Sequence, residues 1–155
     1  MLWKLNKISG TIVNHNSIYD GEIDFDKTIN EIKKIKKSKV NNYIIPGFID
    51  LHCHGGNGFD TMDGADAIVA MSKYHLMHGT TSIMPTTWTN TFKNIFQSLD
   101  GFNNLKTSNS NILGVHLEGP FINPNKLGAQ PDLAQKPSLE FINKLCKIAD
   151  IKIIT

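Results

Sequence analysis

From Tyr43 to Thr155 the chain alternates short apolar runs with longer amphipathic stretches, and this alternation constrains the fold more than any other feature. Strands are predicted over 44–51, 80–84, 112–117 and 151–154, with helices over 65–78, 91–105 and 137–149. The first helix spaces Ile68, Met71, His75 and His78 along its length and meets Gly79 at its stop. The second places Phe92, Ile95, Phe96 and Leu99 on one face. The third opens at Pro137 and carries Leu139, Ile142, Leu145 and Ile148. Residues 103–111 read as a polar loop. This is the pattern of repeated βα units in an α/β protein: three units and the start of a fourth, an incomplete TIM-like (β/α)₈ barrel. A full barrel typically takes about 250 residues, and this chain has 155.

Residues 1–43 follow another pattern. Apolar alternation over Ile8–Val13 and Ile18–Phe25, broken at Asn14-His15-Asn16 and Asp20-Gly21, predicts short antiparallel strands. Thr28–Lys37 carries isoleucines at 29, 32 and 35, which fits a helical turn or an irregular strand equally. The expected organisation is a small β region over 1–43 followed by the barrel portion over 44–155.

Composition narrows the function classes. With 40% hydrophobic and 19% charged residues, the chain can bury one sizeable core. A net charge of +2 on scattered lysines argues against nucleic-acid binding, and the cluster Lys33, Lys34, Lys36, Lys37 and Lys39 reads as a solvated face. No arginine occurs, so an anion bound here must rely on lysine, histidine or backbone N–H groups. Cys53 and Cys146 have no CxxC partner, which suits a reducing cytoplasm better than a disulfide framework. Neither a secretory signal nor a membrane span is expected.

The chemistry concentrates at two strand ends. Pro46–Gly56 reads PGFIDLHCHGG, and 116–120 reads HLEGP. Side chains two apart on a strand share a face, so His52 and His54 converge while Cys53 turns toward the helices and the core. By the same rule Ile112, Gly114, His116 and Glu118 share one face, and Leu113, Val115 and Leu117 the other. An HxH pair alone fits packing or turn formation as well as metal binding. A carboxylate brought to the same place favours a metal site.

The remaining candidates read more plainly. His116 reads as a histidine that supports the metal ligands from behind or as a buried hydrogen-bonding one, His75 and His78 as packing or capping groups, and His15 as a turn residue. The glycines of 55–58 suit a tight turn better than a phosphate loop. Trp3 and Trp88 read as packing anchors rather than a sugar platform.

The segments PGFIDLHCHGG (46–56), HGTTSIMPT (78–86) and GVHLEGPFINPNKLGAQ (114–130) resemble the N-terminal part of the N-acetylglucosamine-6-phosphate deacetylases, within the metal-dependent amidohydrolase superfamily. The resemblance implies a TIM-like barrel flanked by a small β-sandwich. It implies Glu118 as a metal ligand, His52 and His54 as ligands in those members that carry a second metal, and Ala129 against the sugar through its backbone. The cofactor implied is a divalent metal, Zn or Fe. The reaction implied is hydrolysis of an N-acetyl amide on an amino-sugar phosphate, releasing acetate.

The same resemblance leaves gaps. No residue here matches the family's catalytic aspartate, since Asp50 and Asp60 lie in the first strand and its loop, and the later metal histidines have no counterpart. Three expectations follow: a truncated deacetylase-like chain, inactive alone; an obligate subunit completed by a second chain or by self-association; or a non-catalytic protein binding a metal or a sugar phosphate.

Overall fold

A computed structural model describes residues 6–105 and 111–155. Trp3 and part of the polar loop expected over 103–111 lie outside them. Two compact units appear, residues 1–46 and 47–155.

The first unit is a four-stranded sheet ordered β3-β2-β1-β4, from β1 (Asn6–Val13), β2 (Ile18–Phe25), β3 (Ile29–Lys34) and β4 (Tyr43–Ile44). Asn14 closes the first hairpin, its Oδ1 accepting the backbone N–H groups of Asn16 and Ser17. Inward alternation buries Ile12 and Ile23. Thr28–Lys37, left open between helix and strand, contributes β3, whose six residues are all exposed at the sheet edge. Lysines on such an edge discourage pairing with other chains, and here Lys33 pairs with Glu31 at 2.9 Å.

The strand expected over 44–51 divides. Tyr43–Ile44 pairs in parallel with β1 in the first sheet, and β5 begins only at Phe48 and runs to Cys53. Pro46 separates them, lacking the N–H that a continuous strand would need. After β5 come a two-residue ribbon, β6 (Gly55–Gly56) with β7 (Phe59–Asp60), then α1 (Ala65–Met77) and β8 (Thr80–Pro85). The glycine segment is thus a tight hairpin. Asn57 and Gly58 at its tip have φ of 53° and 81°, the left-handed pair that matches strand twist.

The second helix is shorter than expected. α2 spans Phe92–Ser98, capped by Thr91, and Gly101 (φ 78°) separates it from a 3₁₀ turn at Phe102–Asn104. Ile95 and Leu99 are fully buried while Phe96 reaches solvent. The strand expected over 112–117 also divides, into β9 (Asn111–Ile112) and β10 (Val115–Leu117). Gly114 breaks it with φ 139°, and strict alternation ends there, so Val115, His116 and Leu117 are all buried. α3 is Leu139–Leu145 with Ser138 as its cap. Leu139, expected on the apolar face, is exposed in its first turn.

β11 (Ile151–Ile154) pairs in parallel with β10, and β5-β8-β9 form a parallel three-stranded sheet. Among the described residues a bridge between Thr86 and His116 connects the two. Ile68, Ile95, Leu99, Val115, Leu117 and Leu145 form the main core, all at zero exposure. Among the described residues no helix is long and apolar enough to cross a membrane.

Candidate metal centre

The ends of β5 and β10 and the segment after β8 meet at one place. Ligand-capable atoms of His52, His54 and Glu118 lie within 4.8 Å of one another. The strand alternation read from the sequence holds at β5: Cys53 points the other way, buried with Met71 and Ile83. There the Cys53 Sγ sits 3.4 Å from the Gly55 carbonyl and 3.3 Å from His75 Nε2, and burial pushes its thiol pKa up.

Each converging group is held from behind. The His52 N–H donates to Asp50 Oδ1 at 3.0 Å. His54 Nδ1 lies 3.1 Å from the carbonyl oxygen of Thr86, which can only accept, so Nδ1 is the donor to Thr86 and Nε2 is turned toward Glu118. The His54 carbonyl accepts from Thr61 N–H at 2.7 Å. Thr86 binds β5 as well, its N–H donating to the Cys53 carbonyl at 2.8 Å and its hydroxyl accepting the Cys53 N–H at 2.9 Å.

Glu118 Oε2 is 2.9 Å from His54 Nε2 and 3.5 Å from His52 Nε2, yet it is buried with no hydrogen-bond partner. The contact is close but not directed along an N–H. A desolvated carboxylate oxygen packed against two imidazole nitrogens calls for positive charge beside it, which a bound cation would supply. Two imidazole nitrogens and a carboxylate oxygen suit Zn²⁺ or Fe²⁺, with a coordination position left over. The donor set therefore fits a divalent metal.

His116 is not part of that set. Its Nδ1 lies 3.2 Å from the Leu51 carbonyl and its Nε2 2.7 Å from the Thr155 hydroxyl, so both ring nitrogens are engaged, in keeping with a buried hydrogen-bonding role. His75 reaches the Gly55 carbonyl at 3.0 Å, and His78 Nδ1 lies 2.9 Å from the Tyr74 carbonyl at the end of α1. Ala129 is exposed in a turn closed by Gln130 N–H to the Leu127 carbonyl. Gln130 Oε1 accepts the Thr89 N–H at 2.7 Å, which ties that turn to the segment after β8.

Three contributors escaped the sequence reading. Thr86 acts through its carbonyl and hydroxyl, Trp88 stacks on His54 at 3.8 Å between ring centroids, and Asp60 accepts the Trp88 indole N–H at 3.1 Å. The available signal was position, because Thr86 and Trp88 follow a parallel strand's carboxyl end just as His54 and Glu118 do.

The amidohydrolase family model matches residues 43–153. The chain is 36% identical over 151 residues to the N-acetylglucosamine-6-phosphate deacetylase of Bacillus subtilis, covering 89% of this chain and 38% of the relative. It is 37% identical over 123 residues to that of Lysinibacillus sphaericus, covering 72% and 30%. Among solved structures, the N-acetylglucosamine-6-phosphate deacetylase of Thermotoga maritima superposes with a TM-score of 0.74 at 26% identity, covering 90% of this chain and 39% of that one. A Mycobacterium smegmatis mutant of the enzyme, in complex with N-acetyl-D-glucosamine-6-phosphate, gives 0.80 at 20% identity over 97% and 42%, a likeness of fold. The chain thus spans well under half the length of these proteins.

Proposed function

This chain belongs to the amidohydrolase family, and from that premise we propose that it supplies the metal-holding strand ends of a deacetylase acting on an N-acetylated amino-sugar phosphate. In this reading residues 44–155 are the first part of an amidohydrolase barrel, about three βα units, and residues 1–43 belong to a small β-sandwich. His52, His54 and Glu118 hold the metal, and Ala129 lies beside the sugar. The observation that carries the proposal is the buried Glu118 Oε2, which has no hydrogen-bond partner and faces two imidazoles. A bound divalent metal would lower the pKa of water and polarise the amide carbonyl.

The residues of this chain bind and orient. Thr86 fixes the His54 tautomer, and Asp50 and Thr61 fix the backbone on either side. Proton transfer needs a further carboxylate. Asp50 is committed to the His52 N–H, and Asp60 to the Met62 N–H and the Trp88 indole, so both are poorly placed to serve. The 155 residues alone are therefore expected to bind metal without appreciable turnover. Metal analysis of the purified chain, with acetate release from N-acetylglucosamine 6-phosphate measured for wild type and Glu118→Ala, tests this. Absence of metal in the wild type would overturn the centre, and Glu118-dependent turnover would overturn the inactivity.

A second reading has support of its own. β5 is the edge of the β5-β8-β9 sheet, and Phe48, Ile49 and Leu51 on it are 57%, 66% and 48% exposed. Such a row favours association, so the chain would work as a subunit completed by further barrel strands from a second polypeptide or another copy. Light scattering on the pure chain tests it: a monodisperse monomer at high concentration would remove self-association from consideration.

A further inference from the structure

Trp88 lies flat against His54, with ring centroids 3.8 Å apart and planes inclined by 15°. The indole is anchored at its far edge, where Nε1–H donates to Asp60 Oδ2 at 3.1 Å. Asp60 is itself fixed: its Oδ1 accepts Met62 N–H at 2.8 Å, and its own N–H donates to Asp63 Oδ2 at 2.9 Å. Carboxylate, indole and imidazole thus form one row, running from the end of β7 to the oxygen of Glu118.

The row answers a geometric need. A hydrogen bond from Nδ1 to Thr86 restrains the His54 ring at one edge but permits rocking about that bond. A flat aromatic surface along one face removes the rocking. It also presents electron density to an imidazole that becomes electron-poor on donating to a cation. An aliphatic side chain of similar bulk supplies contact without that second effect.

We propose that Trp88 and Asp60 are positioning residues for the metal centre, with Asp60 clamping the indole and the indole holding the His54 ring so that Nε2 is aimed beside Glu118. This rests on the metal-centre reading above. It gives Trp88 a part in ligand geometry, beyond packing.

The test uses the full chain with Zn²⁺ and Co²⁺ as probes. Competition against a chromophoric chelator gives affinity, the visible spectrum of bound Co²⁺ reports ligand geometry, and tryptophan emission reports the stack. Emission of wild type should change on Zn²⁺ saturation, and Trp88→Phe, which retains Trp3, should lose that response. Trp88→Leu should weaken Zn²⁺ binding about 10–100-fold, the usual scale for removing a partner behind a metal histidine. Trp88→Phe should recover part of the loss, because it restores an aromatic face.

Equal Zn²⁺ affinity and an unchanged Co²⁺ spectrum in Trp88→Leu would overturn the role of Trp88. Should that variant fail to fold by circular dichroism, Asp60→Ala decides the matter, since it leaves the indole in place and removes its clamp, together with the acceptor of the Met62 N–H. Wild-type metal binding in a folded Asp60→Ala would overturn the relay. A wild-type chain that binds neither metal would overturn the centre itself, an outcome distinct from either of these.

Discussion

The carbonyl oxygen of Thr86 accepts from His54 Nδ1 at 3.1 Å while the hydroxyl of the same residue accepts the Cys53 N–H at 2.9 Å, so one buried threonine holds two successive residues where β5 ends. The hydroxyl also donates to the Met84 carbonyl at 3.1 Å. Thr86→Val keeps the carbonyl but leaves the Cys53 N–H buried without its side-chain partner. The expected cost is about 1–3 kcal/mol of stability, read by urea denaturation, with little change in Zn²⁺ affinity. A large loss of affinity at unchanged stability would show that the hydroxyl matters to the ligands directly.

Glu118 should change sign with metal. In chelator, Glu118→Gln is expected to unfold no more readily than wild type, because it removes a buried charge that has no hydrogen-bond partner. With Zn²⁺ present, wild type should become the more stable of the two through its tighter binding. Melting curves in the two conditions check this. The same ordering in both would mean that the carboxylate serves the fold rather than a cation.

Gly114 is required for the turn into β10. Its φ is 139°, and an added Cβ would fall 2.5 Å from Lys152 Cγ and 2.7 Å from the Asp150 carbonyl oxygen. Gly114→Ala should lose about 1–3 kcal/mol from backbone strain alone, with the clash in addition. Denaturation measures the loss, and a variant as stable as wild type would show that the connection can relax.

In the first unit, the N–H of Ser38 and the hydroxyl of Thr11 hold the Asp20 carboxyl below the usual aspartate range, with contacts of 2.9 and 2.8 Å. Because the folded value is depressed, this contribution to stability is present above the unfolded value of about 3.9. It is lost as pH falls through the lower folded value. Acid titration of the Ser38 amide shift by NMR should therefore give a midpoint below that of an aspartyl peptide. A midpoint at or above it would contradict the bonds.

The parts legible from sequence were those that depend on local period and chemistry. The i, i+2 spacing at 52 and 54 placed two imidazoles on one face, α1 carried its own stop signal, and Glu118 arrived where a second strand ends. What escaped depends on distant partners. Pro46 splits an apolar run into strands of two different sheets, and Gly114 interrupts another, although each run reads as continuous in hydropathy. Trp88 read as a packing anchor because its indole partner, Asp60, lies 28 residues earlier and meets it only through the fold. The second helix ended early, ahead of Gly101 in its left-handed conformation, a choice that composition alone does not force.

The three converging side chains are unequally sheltered: His52 is 49% exposed, against 19% for His54 and 20% for Glu118. If the three hold a metal as proposed, His52 is the ligand that a chelator would reach first, so stripping the ion would begin at the outer imidazole, while the sheltered His54 and Glu118 would set how tightly it is held.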